Sequence, residues 1–202
     1  MPRSLIASLM KLTSRGLKLR VSSEPEATAT LCFISVVGCA RSSSSKTADT
    51  AAWSRLMITD PGYQNLFYLV LNGGDLSLIT NASMFHRPHV QRGLEILDRN
   101  QGEIWAKLDA GTEAYFRLVD RSPVPLRRVL DNITQAARLR PLVIQSLWMK
   151  IDGQSPPDEE IQAFCQRLCE ITAAGGRLSL IQIYTIARRP AERCVDSLSD
   201  DQ

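Results

Sequence analysis

By type and spacing, the residues best suited to chemistry are Lys107 and Asp109, in the run Glu103-Ile-Trp-Ala-Lys-Leu-Asp109. Side chains alternate along an extended chain, so an ammonium and a carboxylate two residues apart share one face. Taking such a pair out of water is costly unless each charge is satisfied, by the other or by a ligand. Two readings follow: an internal salt bridge at a strand end, or one wall of a polar pocket. Polar groups also close three other apolar runs, at Thr80-Asn81, at Gln145 with Lys150, and at Gln182 with Tyr184 and Thr185. Four such endings in succession favour the pocket.

Other constellations carry less. His86 and His89 are the only histidines, spaced His-x2-His beside Pro88. Two imidazoles can begin a metal site, but no thiolate or carboxylate adjoins them, and they read as solvated loop residues. Asn72-Gly-Gly-Asp75 has no following lysine and reads as a turn rather than a phosphate loop. No Gly-x-Ser-x-Gly elbow supports a serine hydrolase. Acid–base catalysis by Lys107 and Asp109 without a metal is chemically open, but no partner motif accompanies it.

The elements that must position these groups form a train of strand–helix units. Strands are predicted at residues 76–80, 103–109, 142–150 and 178–185, each ending in polar residues. Parallel strands need crossovers of a dozen or more residues, usually helices, and the chemistry of such folds gathers at the carboxyl ends of the strands. Apolar stripes predict helices over Pro88–Arg99 (Val90, Leu94, Leu97), 125–139 (Leu126, Val129, Leu130, Ile133, Ala137) and 156–174 (Ile161, Phe164, Leu168, Ile171). The last has Ser155 as expected N-cap, Pro156 at the first position, Asp158-Glu159-Glu160 against the dipole and Gly175-Gly176 as its stop. Residues 63–71 predict a short helix capped by the glycines, with a hairpin into 76–80 as the alternative. Upstream, residues 5–12 suit a helix and 31–37 a buried strand. Residues 40–52 are small and polar, the composition of a loop or disordered insert.

Composition sets the frame. The chain has 202 residues, 44% apolar and 22% charged, which suits one soluble domain, or one domain plus a poorly ordered extension. Residues 1–60 carry eight Lys/Arg against four Asp/Glu, and the five charges before Glu24 are all basic. A targeting peptide or a nucleic-acid arm could look like this, but a solvated helix face fits better, and no basic and aromatic constellation points to nucleic acid. No apolar run approaches the ~20 residues of a membrane span. Five cysteines suit a reducing compartment, so a cytoplasmic location is expected. The predicted organisation is an irregular region over 1–60, an α/β domain over 61–192 and a tail over 193–202.

Residues 78–192 resemble the later part of a radical SAM domain, the partial (β/α) barrel that binds S-adenosylmethionine beside a [4Fe–4S] cluster. The resemblance is carried by Leu78-Ile-Thr-Asn81, by Glu103-Ile-Trp-Ala-Lys-Leu-Asp-Ala-Gly-Thr-Glu113, by Val143-Ile-Gln-Ser146 and by Ile181-Gln-Ile-Tyr-Thr185. The first is similar to the family's Thr-Asn-Gly strand end, with Ala82 in place of glycine. The resemblance implies that Asn81, Lys107 and Asp109 face the ribose and amino-acid part of the nucleotide, and that Gln145, Ser146, Tyr184 and Thr185 line the later strands. Glu24-Pro25 faintly resembles the Gly-Glu-Pro turn that reads the cofactor's amino group. The family's Cys-x3-Cys-x2-Cys run is missing: Cys32 and Cys39 are wrongly spaced, Cys165 and Cys169 are followed by Thr172, and Cys194 is alone. The expected protein is thus an incomplete radical SAM-like domain, truncated or degenerate at its start. The alternative is a non-catalytic α/β binding or scaffold module, with exposed edges covered by self-association or a protein partner.

Overall fold

The computed structural model describes residues 75–187, 189–190 and 192–199, and the backbone of three further strands at 18–22, 54–60 and 63–72. The expected helix at 5–12, strand at 31–37 and insert at 40–52 lie outside the described residues, as do Glu24-Pro25, Cys32 and Cys39.

The strands in chain order are β1 (Lys18–Ser22), β2 (Ser54–Asp60), β3 (Tyr63–Asn72), β4 (Asp75–Thr80), β5 (Glu103–Lys107), β6 (Leu142–Leu147), β7 (Lys150–Ile151), β8 (Leu178–Tyr184) and β9 (Val195–Asp196). The helices are α1 (Pro88–Arg99), α2 (Glu113–Val119), α3 (Leu126–Leu139) and α4 (Asp158–Ala173). Seven strands form one sheet in the order β1-β8-β6-β5-β4-β3-β2. Strands β4, β5, β6 and β8 run parallel, as predicted, and β1 extends this parallel part beyond β8.

Sequence reading and structure part at four places. Residues 63–71 were expected as a helix, but β3 pairs antiparallel with β2 on one side and β4 on the other. Tyr63, Phe67, Tyr68 and Val70 favour strand, and Asn72 pairs with Asp75 across the two glycines, the spacing of a tight hairpin. Strands β1 and β2 fall in the region expected to be irregular. The sheet is open, with β1 and β2 as its edges among the described residues, so α/β architecture is present without closure into a barrel. At α4 the helix starts two residues later than expected, with Pro157 as the cap residue and no side-chain cap. Pro157 keeps Pro156 out of helical geometry, which removes Ser155 from the cap position.

The helices that connect β4, β5, β6 and β8 share one hydrophobic core with the sheet, on one of its faces. The core forms there. Ile104, Ala106, Leu142, Ile144, Ile181 and Ile183 from the strands meet Leu94, Val129, Ile133, Phe164, Leu168 and Ile171 from the helices. Alternation along β5 leaves Trp105 and Lys107 on the other face. Register continues that face through Gln145, opposite Lys107, and Gln182, opposite Gln145.

Candidate functional site at the strand ends

Lys107 closes β5, and its Nζ lies 3.0 Å from Asp109 Oδ2 and 3.2 Å from Oδ1. It also donates to the Tyr184 hydroxyl at 3.0 Å and stands 5.3 Å from the ring centroid. Tyr184 ends β8, so this contact passes across β6, which lies between β5 and β8. Asp109 Oδ1 accepts the Leu147 backbone N–H at 2.7 Å, tying the end of β6 into the same group. Burial disfavours the Lys107 ammonium, but Asp109 and then Tyr184 outweigh it and hold its pKa well above the ordinary lysine value. The side chains are 20% and 5% exposed, so this is a nearly desolvated ion pair.

A third charge adjoins the pair. Asp120, just beyond α2, is partly buried, and its Oδ2 is closed to solvent without a hydrogen-bond partner. Burial, and then the negative charge of Asp109, push its carboxyl up to about 7, while Lys107 pulls the other way. Nothing in the sequence marked Asp120; it follows a seven-residue helix too short to show a stripe.

The loop between Asp109 and α2 is fixed from behind by α4. Glu160, in the first turn of α4, is buried and accepts from the Gly111 and Thr112 backbone N–H groups and, at 2.6 Å, from the Thr112 hydroxyl. A Cβ at Gly111 would run into the α4 backbone at Phe164 N, so only glycine lets the loop lie this close. Thr112 in turn caps α2 by accepting from Tyr115 N–H. The turn after β4 is held from α3, where Asn132 Nδ2 donates to Ala82 O at 2.8 Å and Ser83 O at 3.0 Å.

The other expected site residues divide. Gln145 donates to Gln182 Oε1 at 2.8 Å on the face that carries Lys107. Asn81 follows β4, and its Oδ1 accepts from Ser83 N–H and Oγ–H at 3.2 and 2.7 Å, closing its own turn. Ser146 points the other way: it is fully buried and donates to Leu108 O at 2.6 Å. Thr185 Oγ1 accepts Leu198 N–H at 2.9 Å, fastening the C-terminal segment whose β9 pairs with β7. His86 approaches Asn132 through Nδ1 at 3.4 Å, and His89 is exposed. A groove of about 180 Å³ between α1 and α3 is lined by Leu94, Asn132, Gln135 and Arg140, and none of the charged cluster lines it.

The iron–sulfur cluster implied by the resemblance does not fit the described residues. Cys165 is buried in α4, with burial and then Cys169 pushing its thiol up to about 11, the reverse of what a thiolate ligand needs. Cys169 is exposed on the same helix, and Cys194 lies in the C-terminal segment. No three His, Cys, Asp or Glu side chains converge among the described residues. The strand ends gather an ammonium, a carboxylate and a phenol that are bonded to one another. Among the described residues, no helix is long and apolar enough to cross a membrane. Comparison with protein-family models, curated proteins and solved structures gave no match.

Proposed function

We propose that this chain is an incomplete radical SAM-like domain with partial-barrel character that binds S-adenosylmethionine or a related nucleoside without cluster chemistry. The observation that carries the reading is the Lys107–Asp109–Tyr184 group, which joins the carboxyl ends of β5 and β8 across β6. Ligands of open α/β sheets bind at such ends. Ala82 gives further support. It stands where the resembled Thr-Asn-Gly motif has glycine, and its φ of 57° is a left-handed conformation that glycine adopts without strain.

Isothermal titration of the full chain with S-adenosylmethionine and with 5′-methylthioadenosine tests this. Saturable binding is expected, and Lys107→Gln should weaken S-adenosylmethionine at least about tenfold, since a charge-assisted hydrogen bond is worth roughly 1.5–3 kcal/mol. Absence of heat with both compounds sinks the reading. The second reading, a scaffold module, rests on the open edges of the sheet.

A further inference from the structure

The C-terminal segment is fastened to the exits of three strands. The chain leaves β8 at Thr185 and returns to it at Leu198, whose N–H donates to Thr185 Oγ1 at 2.9 Å. Both terminal nitrogens of Arg121, in the connection after β5, fork onto the Glu192 carboxylate at 2.8 Å. Beyond β6, the two residues of β7 pair with β9, and Asp152 N–H donates to Cys194 O at 2.6 Å. Glu192, Val195–Asp196 and Leu198 thus meet the exits of β5, β6 and β8 in the order in which those strands lie in the sheet. The same three strands are joined by the Lys107–Tyr184 bond and by Asp109 with Leu147 N–H.

Each fastening is light. The Arg121–Glu192 pair is exposed, the β7–β9 ladder is two residues long, and Thr185 gives one hydrogen bond. Leu198 alone is recorded packing against the core. Arg121 and Asp152 also hold a left-handed backbone, each with a φ of 50°, which side-chain-bearing residues keep only where their surroundings fix it. A compact surface segment whose ends meet and whose buried contacts are few opens locally at far less cost than the whole fold.

We infer that residues 192–199 are a clasp across the exits of β5, β6 and β8, and that the strand-end site admits its ligand when the clasp opens. The inference rests on the reading of this site as a nucleoside cleft. With the clasp shut, the Lys107 ammonium, the Asp109 carboxylate and the Tyr184 phenol bond one another, and the Lys107 and Asp109 side chains are only 20% and 5% exposed. A ligand then draws on the open fraction, and its apparent affinity is reduced by that fraction. Loosening the clasp therefore strengthens binding.

The test joins amide hydrogen exchange of the full chain with titration calorimetry, using uncharged 5′-methylthioadenosine as the probe. Arg121→Asn removes the fork while suiting the left-handed backbone. It should speed exchange at the Asp152 and Leu198 N–H groups together, although their hydrogen bonds go to Cys194 and Thr185 rather than to Arg121. The buried Ile144 and Ile181 amides should be unchanged, which shows that the variant folds. Affinity for the probe should rise between about two- and fivefold, the weight of one exposed ion pair. Raising salt from about 0.05 to about 0.5 M should produce the same rise in wild type and none in the variant, since only wild type has the pair to screen. Unchanged exchange at Asp152 or Leu198 overturns the clasp. Faster exchange without a gain in affinity overturns the gating and leaves the nucleoside cleft standing. No binding of the probe by either protein removes the cleft and the gate together.

Discussion

A carboxyl that titrates near 7 in the folded protein and near 4 in the unfolded chain makes stability depend on pH in a definite direction. Between those values the native state binds the Asp120 proton and the unfolded state has released it, so stability falls as pH rises from about 4 to about 7 and levels off above. Asp120→Asn removes this dependence. The variant's advantage over wild type, read from urea midpoints, should be larger at pH 8 than at pH 4; parallel curves would show that Asp120 is not the titrating group. Lys107 acts in the opposite sense. Its raised pKa contributes stability fully present below about 10.4 and lost only as pH climbs beyond that, well outside the Asp120 window. Of these residues, the sequence made Lys107 and Asp109 legible because a spacing of two is local. Tyr184 was flagged as polar, but its bond to Lys107 depends on the register of three strands. Asp120 was not legible at all, because its environment comes from burial and from charges at the end of β5.

At the scale of elements, α4 does more than cover the sheet. Its acidic first turn was read as a match to the helix dipole, which holds for any exposed acid there. Glu160 is instead buried, and it hangs the Asp109–Thr112 loop from the helix through Gly111 and Thr112. Glu160→Gln keeps the shape, loses charge-assisted bonds and turns an amide toward N–H groups that need an acceptor. The expected cost is about 2–3 kcal/mol in urea unfolding. Tyr115 supplies a second readout. Burial, and then Glu160, push its phenol up to about 12, so the variant's alkaline tyrosine absorbance should titrate earlier. A variant unchanged in both would mean that the loop holds itself. The helices α1, α3 and α4 were readable because their stripes run for three turns or more, whereas α2 has too few residues for a period to emerge. The hairpin β3–β4 was misread for a related reason. A short apolar run bounded by glycines fits helix or strand, and here pairing on both sides decides it.

For the whole molecule, the governing fact is that the described helices cover one face of a sheet that, among the described residues, does not close. Strand–helix alternation made the parallel order readable, but closure depends on how many strands precede β4, and that part of the chain lacks the periodic pattern. The described sheet instead turns antiparallel at β4 and ends in β2, with β1 as its other edge. Edge strands present unpaired backbone donors and acceptors, a template for another chain. Ile96, Leu118 and Leu139 are large and exposed, but they lie singly on helices of the covered face, and scattered apolar residues of this kind need no partner. If association occurs, the edges drive it. Sedimentation velocity from low micromolar to a few hundred micromolar should therefore show the weight-average coefficient rising with concentration. That rise should persist in high salt, because backbone pairing is not screened as surface charge is. A concentration-independent monomer would remove the scaffold reading and leave ligand capture at the strand ends as the role of the domain. Association abolished by salt would point to the excess of basic residues over 1–60 rather than to the edges.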